Sequence, residues 1–146
     1  MKKWTFLLVC LFAVNFTASA IDDKPIQVSE MPKAAQQFIR NYFPGHSVAV
    51  AKVEMEFMSK SYDVIFTNGN KVEFDKKGKW TQVDCEYTEV PQAILPVEIQ
   101  KYVARHYPGK KVVKIEMTDR KGYEIELNDG LELEFDKRKK VIDIDR

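Results

Sequence analysis

The chain has 146 residues, with 23 Lys and Arg against 22 Asp and Glu. That is room for one compact domain or for two small halves fused into one. The near-neutral charge leaves no basic surplus to drive nucleic-acid binding, and the two cysteines fall one on either side of an expected processing site, which excludes an intramolecular disulfide in the mature chain.

Residues 1–20 read as a secretory signal. Lys2 and Lys3 give the positive start, Trp4 to Phe12 the apolar stretch, and Ala18-Ser19-Ala20 the small-residue cleavage pattern. The apolar run is too short for a membrane anchor, and Asn15 interrupts it. Lipidation at Cys10 is the minor outcome, because Val9 before it is bulky for a lipoprotein site. The expected mature chain starts at Ile21 and, without Lys2 and Lys3, carries 21 basic and 22 acidic residues. The address implied is the periplasm or the exterior, with no stable membrane insertion after signal removal.

Residues 21–30 form a polar lead with Ile26 and Val28 as packing points. Beyond it, Met31 to Asp84 and Leu95 to Asp145 read as two copies of one unit. Met31-Pro32 answers Leu95-Pro96, and Tyr42-Phe43-Pro44-Gly45 answers His106-Tyr107-Pro108-Gly109. Val53-Glu54-Met55 is set against Ile115-Glu116-Met117, Tyr62 against Tyr123, and Asn68-Gly69 against Asp129-Gly130. Val72-Glu73-Phe74-Asp75-Lys76 then answers Leu133-Glu134-Phe135-Asp136-Lys137. The offset drifts from 64 to 61, so the first copy holds three extra residues, placed around Met58-Ser59-Lys60.

Each copy opens with apolar residues at helical spacing: Ala35, Phe38, Ile39 and Tyr42, then Ile99, Tyr102, Val103 and His106. A Pro-Gly pair stops each helix. The period then changes to two, and Asn68-Gly69 and Asp129-Gly130 mark hairpins between alternating runs. Last strands are expected at Trp80–Cys85 and Lys140–Asp145, entered by turns at Asp75–Gly78 and Asp136–Lys139. The fold class is therefore α+β, two tandem helix-plus-four-strand repeats (21–86 and 87–146) with the helices on one face of a largely antiparallel sheet.

These residues resemble the PepSY-like family of secreted proteins from Bacteroides-type bacteria, through the Leu/Met-Pro entry, the aromatic-Pro-Gly stop, the strand tyrosine, Asn/Asp-Gly and Leu/Val-Glu-Phe-Asp-Lys. The resemblance covers essentially the whole mature chain and implies a fold similar to the tandem-repeat β-lactamase inhibitor protein. In that protein, helices pack on one face of an antiparallel sheet and the other face grips a partner. PepSY domains proper are associated with peptidase propeptides, where inhibition or chaperoning is the implied role. No inhibitory loop of either family maps onto residues of this chain.

Nothing in the sequence marks a catalytic, cofactor or metal site. His46 and His106 have no Cys or His at ligand spacing, and the reading is one packed and one exposed histidine. Cys85 reads as a small buried apolar residue, and no calcium-loop spacing occurs. The candidate surface is the sheet face opposite the helices. With Ile115, Tyr123, Ile125, Leu133, Phe135 and Ile144 turned inward, alternation turns Glu116, Glu124, Glu126, Glu132, Glu134, Asp143 and Asp145 outward. In the first copy the outward set is Lys52, Glu54, Asp63, Ile65, Lys71, Glu73, Trp80 and Gln82, with Ile65 and Trp80 as apolar anchors. The function expected is a non-enzymatic binding protein, an inhibitor or modulator of another secreted protein whose identity the sequence does not give. The alternatives are a carboxylate-based hydrolase and a periplasmic sensor of cationic ligands.

Overall fold

A computed structural model describes residues 23–146. The expected signal at 1–20, Cys10 within it, and the expected terminus Ile21 lie outside the described residues.

Among the described residues, nine strands form one antiparallel sheet whose order in space is the order in the chain. They are β1 (Lys24–Ile26), β2 (Val48–Glu56), β3 (Ser59–Phe66), β4 (Lys71–Asp75), β5 (Trp80–Asp84), β6 (Val112–Met117), β7 (Tyr123–Leu127), β8 (Glu132–Phe135) and β9 (Val141–Asp145). Helix α1 (Lys33–Tyr42) precedes β2, and α2 (Val97–His106) precedes β6. The class expected from the sequence, α+β with an antiparallel sheet, is the one observed. Its one unexpected strand is β1, where the polar lead pairs with β2 through Lys24↔Val53 and Ile26↔Ala51.

Local chemistry explains where each helix starts and stops. Pro32 and Pro96 stand at the N-caps, where a missing N–H costs nothing. One turn in, Gln36 Nε2 donates to the carbonyls of Met31 at 2.8 Å and Ser29 at 3.1 Å. Gln100 Nε2 does the same to Leu95 and Gln92, both at 2.8 Å. Each glutamine ties its helix to the 3₁₀ turn before it (Val28–Glu30 and Gln92–Ile94). Gly45 and Gly109 take left-handed φ values of 75° and 80° and end the helical path.

Both helices cover the same side of the sheet. Phe38 of α1 meets Phe74 of β4 edge-on at 5.5 Å, and Tyr102 of α2 meets Phe135 of β8 edge-on at 5.5 Å. Phe74 and Phe135 are fully buried, as are Val64, Val72, Val83, Ile115 and Leu133 on the same side. The pairing of β5 with β6 (Gln82↔Glu116, Val83↔Ile115, Asp84↔Lys114) makes the two halves one sheet over one core. Cys85 is fully buried in that core, and burial, with Asp84 beside it, pushes its thiol up to about 12.

Four sequence expectations change. Trp80 does not face solvent across from Phe74; it pairs with Phe74 and lies against Phe38, ring centroids 6.4 Å apart. A bulge between Glu73 and Phe74 places Thr81 as an extra residue, so strict alternation fails by one. Ile144 keeps the inward side, opposite Leu133, yet is 51% exposed because it lies on the sheet's last strand. Both histidines are exposed, His106 stacked on Tyr102 and His46 edge-on to Phe43 and Phe66. Finally, the register pairs Ala51 with Val64 and Ile115 with Ile125, so by strand pairing Ala51, rather than Val53, is placed on β2 as Ile115 is on β6.

Candidate functional site: the open face of the sheet

Register places one residue per strand in a line across the side away from the helices. From β2 to β9 that line reads Lys52, Asp63, Glu73, Gln82, Glu116, Glu124, Glu134, Asp143. The line beside it reads Val50, Ile65, Lys71, Asp84, Lys114, Glu126, Glu132, Asp145. Of the candidate partner-binding residues, Ile65, Glu116, Glu124, Glu126, Glu132, Glu134 and Asp143 share this face, and Trp80 does not.

The two ends of the face differ in electrostatics. At the β2–β4 end, Asp63 is 2% exposed and lies 3.0 Å from Lys71 Nζ and 3.6 Å from Lys52 Nζ. Lys52 also pairs with Glu54 at 2.6 Å and with Asp23 at 3.0 Å, and Lys71 with Glu73 at 2.7 Å. Those partners, Glu54 foremost, hold the Lys52 ammonium well above its ordinary range. Two lysines there lie among four carboxylates, Asp23, Glu54, Asp63 and Glu73, so each of these acids has an ammonium within 4 Å. The sequence showed these residues as outward, but not that Asp63 is buried under two lysines; that depends on which strands are neighbours.

At the β6–β9 end, carboxylate follows carboxylate. Glu124 has Glu116 directly across on β6 and Glu134 directly across on β8, and Glu134 has Asp143 across on β9. Lys114 reaches Glu116 only at 3.8 Å. Glu124, Glu132, Glu134, Asp143 and Asp145 line one shallow recess of about 190 Å³. Partial burial, then the charges of Glu132 and Glu116, raise the Glu124 carboxyl above the usual range. Among the described residues, no three His, Cys, Asp or Glu side chains are placed to hold a metal ion.

The raised carboxyl makes a testable claim about pH. Above its folded-state pKa, Glu124 is ionised and its neighbours repel it; as pH falls through that pKa it takes up a proton and the repulsion goes. Glu124→Gln should therefore melt a few degrees above wild type at neutral pH and low salt, since opposed like charges cost on the order of 0.5 kcal/mol. The gap should close as pH drops through the raised pKa. Parallel thermal melts check this, and a variant that melts below wild type at neutral pH would show that Glu124 is paired.

The PepSY-like family model, described as candidate beta-lactamase-inhibitor-like, matches residues 60–143. A Bacteroides thetaiotaomicron protein described as a candidate calcium-regulated periplasmic protein is 58% identical, with a TM-score of 0.83 over 86% of this chain and 98% of that one. A candidate periplasmic protein from Bacteroides vulgatus is 55% identical, TM-score 0.83, over 87% and 99%. A second protein from that organism, described as periplasmic and of unknown function, is 38% identical, TM-score 0.79, over 85% and 99%. A search of curated protein sequences found no match. The expected address, periplasm or exterior, agrees with all three relatives. None of the described helices is long and apolar enough to cross a membrane. With a family model spanning more than half of its length, the chain belongs to the PepSY-like family.

Proposed function

We propose that the chain is a non-enzymatic binding protein that holds a basic partner protein on the open face of its sheet, as an inhibitor or modulator of that partner. The observation that carries this reading is the unbroken line Glu116–Glu124–Glu134–Asp143 over four adjacent strands, beside an end where Asp63 and Glu73 each have a lysine at 3.0 Å or closer. Like charges in adjacent register cost stability when nothing basic lies over them. An opposed cationic surface relieves that cost and gains steering at a distance. A carboxylate hydrolase needs a pair of acids in a concave pocket. Here Glu132, Asp143 and Asp145 are exposed around a shallow recess, which favours binding over catalysis.

The same proposal takes the two helix-plus-four-strand runs as copies of one unit, 21–86 and 87–146. Bulges support it by recurring in matched places: Val48/Val50 and Val112/Lys114 in the first strands, Glu73/Phe74 and Glu134/Phe135 opposite the last. The glutamine ties of Gln36 and Gln100 match as well. Removal of residues 1–20 would leave 126 residues.

The test is kinetic. A partner recovered from native periplasm should associate about tenfold more slowly at low salt with the combined Glu124→Gln, Glu126→Gln and Glu134→Gln protein, and with a flatter salt dependence. Trp80→Ala should leave the dissociation rate alone, because Trp80 packs under the helices. Wild-type association by the triple variant would reduce the open face to a solvated surface.

One observation favours a second reading, a calcium-responsive protein: the 58%-identical relative is described as calcium-regulated. Calcium would have to draw carboxylates of the recess together. Calcium chloride should then raise the melting temperature of wild type but not of the triple variant, and equal melts with and without calcium would remove this reading.

A further inference from the structure

We propose that β9 is a docking edge, and that the partner on the acidic face enters as a tenth strand whose residues alternate between basic and apolar. This deepens the proposed function and rests on it.

Among the described residues the sheet has two free edges, and they are not equivalent. At one end β1 is three residues long with Pro25 at its centre, and proline has no N–H to offer a further strand. At the other end β9 contains no proline. The turn bond from Asp136 N–H to Lys140 C=O sets which residues of β8 face β9, and alternation then points the ladder groups of Asp143 and Asp145 at β8. The amides between and after them, Ile144 and Arg146, therefore turn outward. Each donates only to the carboxylate of the aspartate before it, Ile144 to Asp143 at 3.0 Å and Arg146 to Asp145 at 2.7 Å.

Those caps decide the occupant. A neighbouring strand must displace both carboxylates from the amides, and a basic side chain offers each a better partner. On the open face the two lines of residues end on β9 at Asp143 and Asp145, so the next strand continues them with Lys or Arg. On the other face Ile144 is 51% exposed and presents an apolar side chain to the same neighbour. A second copy does not fit: β9 against β9 sets aspartates beside aspartates, and charged edges of this kind resist self-pairing. Main-chain bonds supply affinity and the alternation supplies selectivity, as in other strand-addition complexes.

The experiment uses two short peptides, one alternating Lys and Val and one alternating Glu and Val, with hydrogen exchange read at single amides. The Lys–Val peptide should slow exchange at Ile144 and Arg146 about tenfold or more, and the Glu–Val peptide should not. Ile144→Pro removes an outward donor without breaking the β8 ladder, so it should melt near wild type and bind the Lys–Val peptide at least about tenfold more weakly. Asp143→Lys with Asp145→Lys should reverse the preference between the peptides. Wild-type affinity in Ile144→Pro, or a bound peptide that leaves Ile144 unprotected, overturns the edge. If that peptide instead perturbs Glu116 and Glu124, the open-face reading stands while the edge falls; no binding of the Lys–Val peptide at all counts against both.

Discussion

Phe135→Ala should lower the stability of the whole sheet by about 3–5 kcal/mol, and Phe74→Ala should do the same. Both rings have no exposed surface, and each receives a helix aromatic edge-on at 5.5 Å, Tyr102 and Phe38 respectively. Truncation removes that contact and leaves a cavity between helix and sheet that a paired backbone cannot collapse to fill. In urea the midpoint should fall by about 2 M for a loss of this size. The probe can be Trp80, the one tryptophan beyond the expected signal, which lies on β5 against Phe38 and Tyr123. Phe135 is three strands away on β8, so a fall in the Trp80 transition on Phe135→Ala reports a single cooperative sheet. A Trp80 melt that Phe135→Ala leaves in place would mean that the halves unfold independently. A loss below about 1 kcal/mol would mean that the inward side has been misassigned, and the acidic line with it.

How much of this was legible beforehand depends on which residues are asked. Leu133-Glu134-Phe135 alternates without interruption, so its parity, and the outward placement of Glu124, Glu126 and Glu134, follow from the sequence alone. Trp80 lies one residue before the point where alternation breaks, and no local composition marks Thr81 as the extra residue of a bulge. The match of Val53 to Ile115 looked better by residue type than Ala51 to Ile115. Pairing partners decide against it, and partners are a tertiary fact. Strand β1 is too short to show a period, and Pro25 argues against it, yet an edge position facing away from β2 tolerates proline. Asp63 reads as an ordinary exposed acid until β2 and β4 bring Lys52 and Lys71 over it.

The contrast between those two ends also separates stability from function. Asp63 has Lys71 Nζ at 3.0 Å and Lys52 Nζ at 3.6 Å, so its charge is countered within the sheet. Glu124, toward the other end, is flanked by Glu116 and Glu134, and partial burial, then the charges of Glu132 and Glu116, raise its carboxyl. The two ends of one sheet thus differ in what their open faces ask of solvent.

Gly122→Ala should be the most damaging small change outside the core. A Cβ at Gly122 would come 2.0 Å from the Phe135 carbonyl oxygen and 3.1 Å from the Asp136 carbonyl carbon. Those are backbone atoms of the neighbouring strand, so no side chain can swing aside. Thr118 fixes the glycine from the other direction: its N–H donates to the Gly122 carbonyl at 3.0 Å, and its Oγ1 accepts the Gly122 N–H at 3.1 Å. Relief requires β7 to separate from β8 or the Thr118–Gly122 turn to open, and either should cost more than about 3 kcal/mol. Gly130→Ala is the control. Gly130 has a left-handed φ of 84° but open space around its Cβ position, so its cost is backbone strain alone, about 1 kcal/mol. Urea melts of the two variants should differ accordingly, and equal midpoints would show that the β7–β8 spacing yields readily. The consequence reaches the acidic face as well. Glu124 is two residues beyond Gly122, and if β7 escapes the clash by slipping one residue, Glu124 and Glu126 turn toward the helices. A folded Gly122→Ala protein that has slipped in this way should lose binding of a basic partner as fully as the triple glutamine variant does.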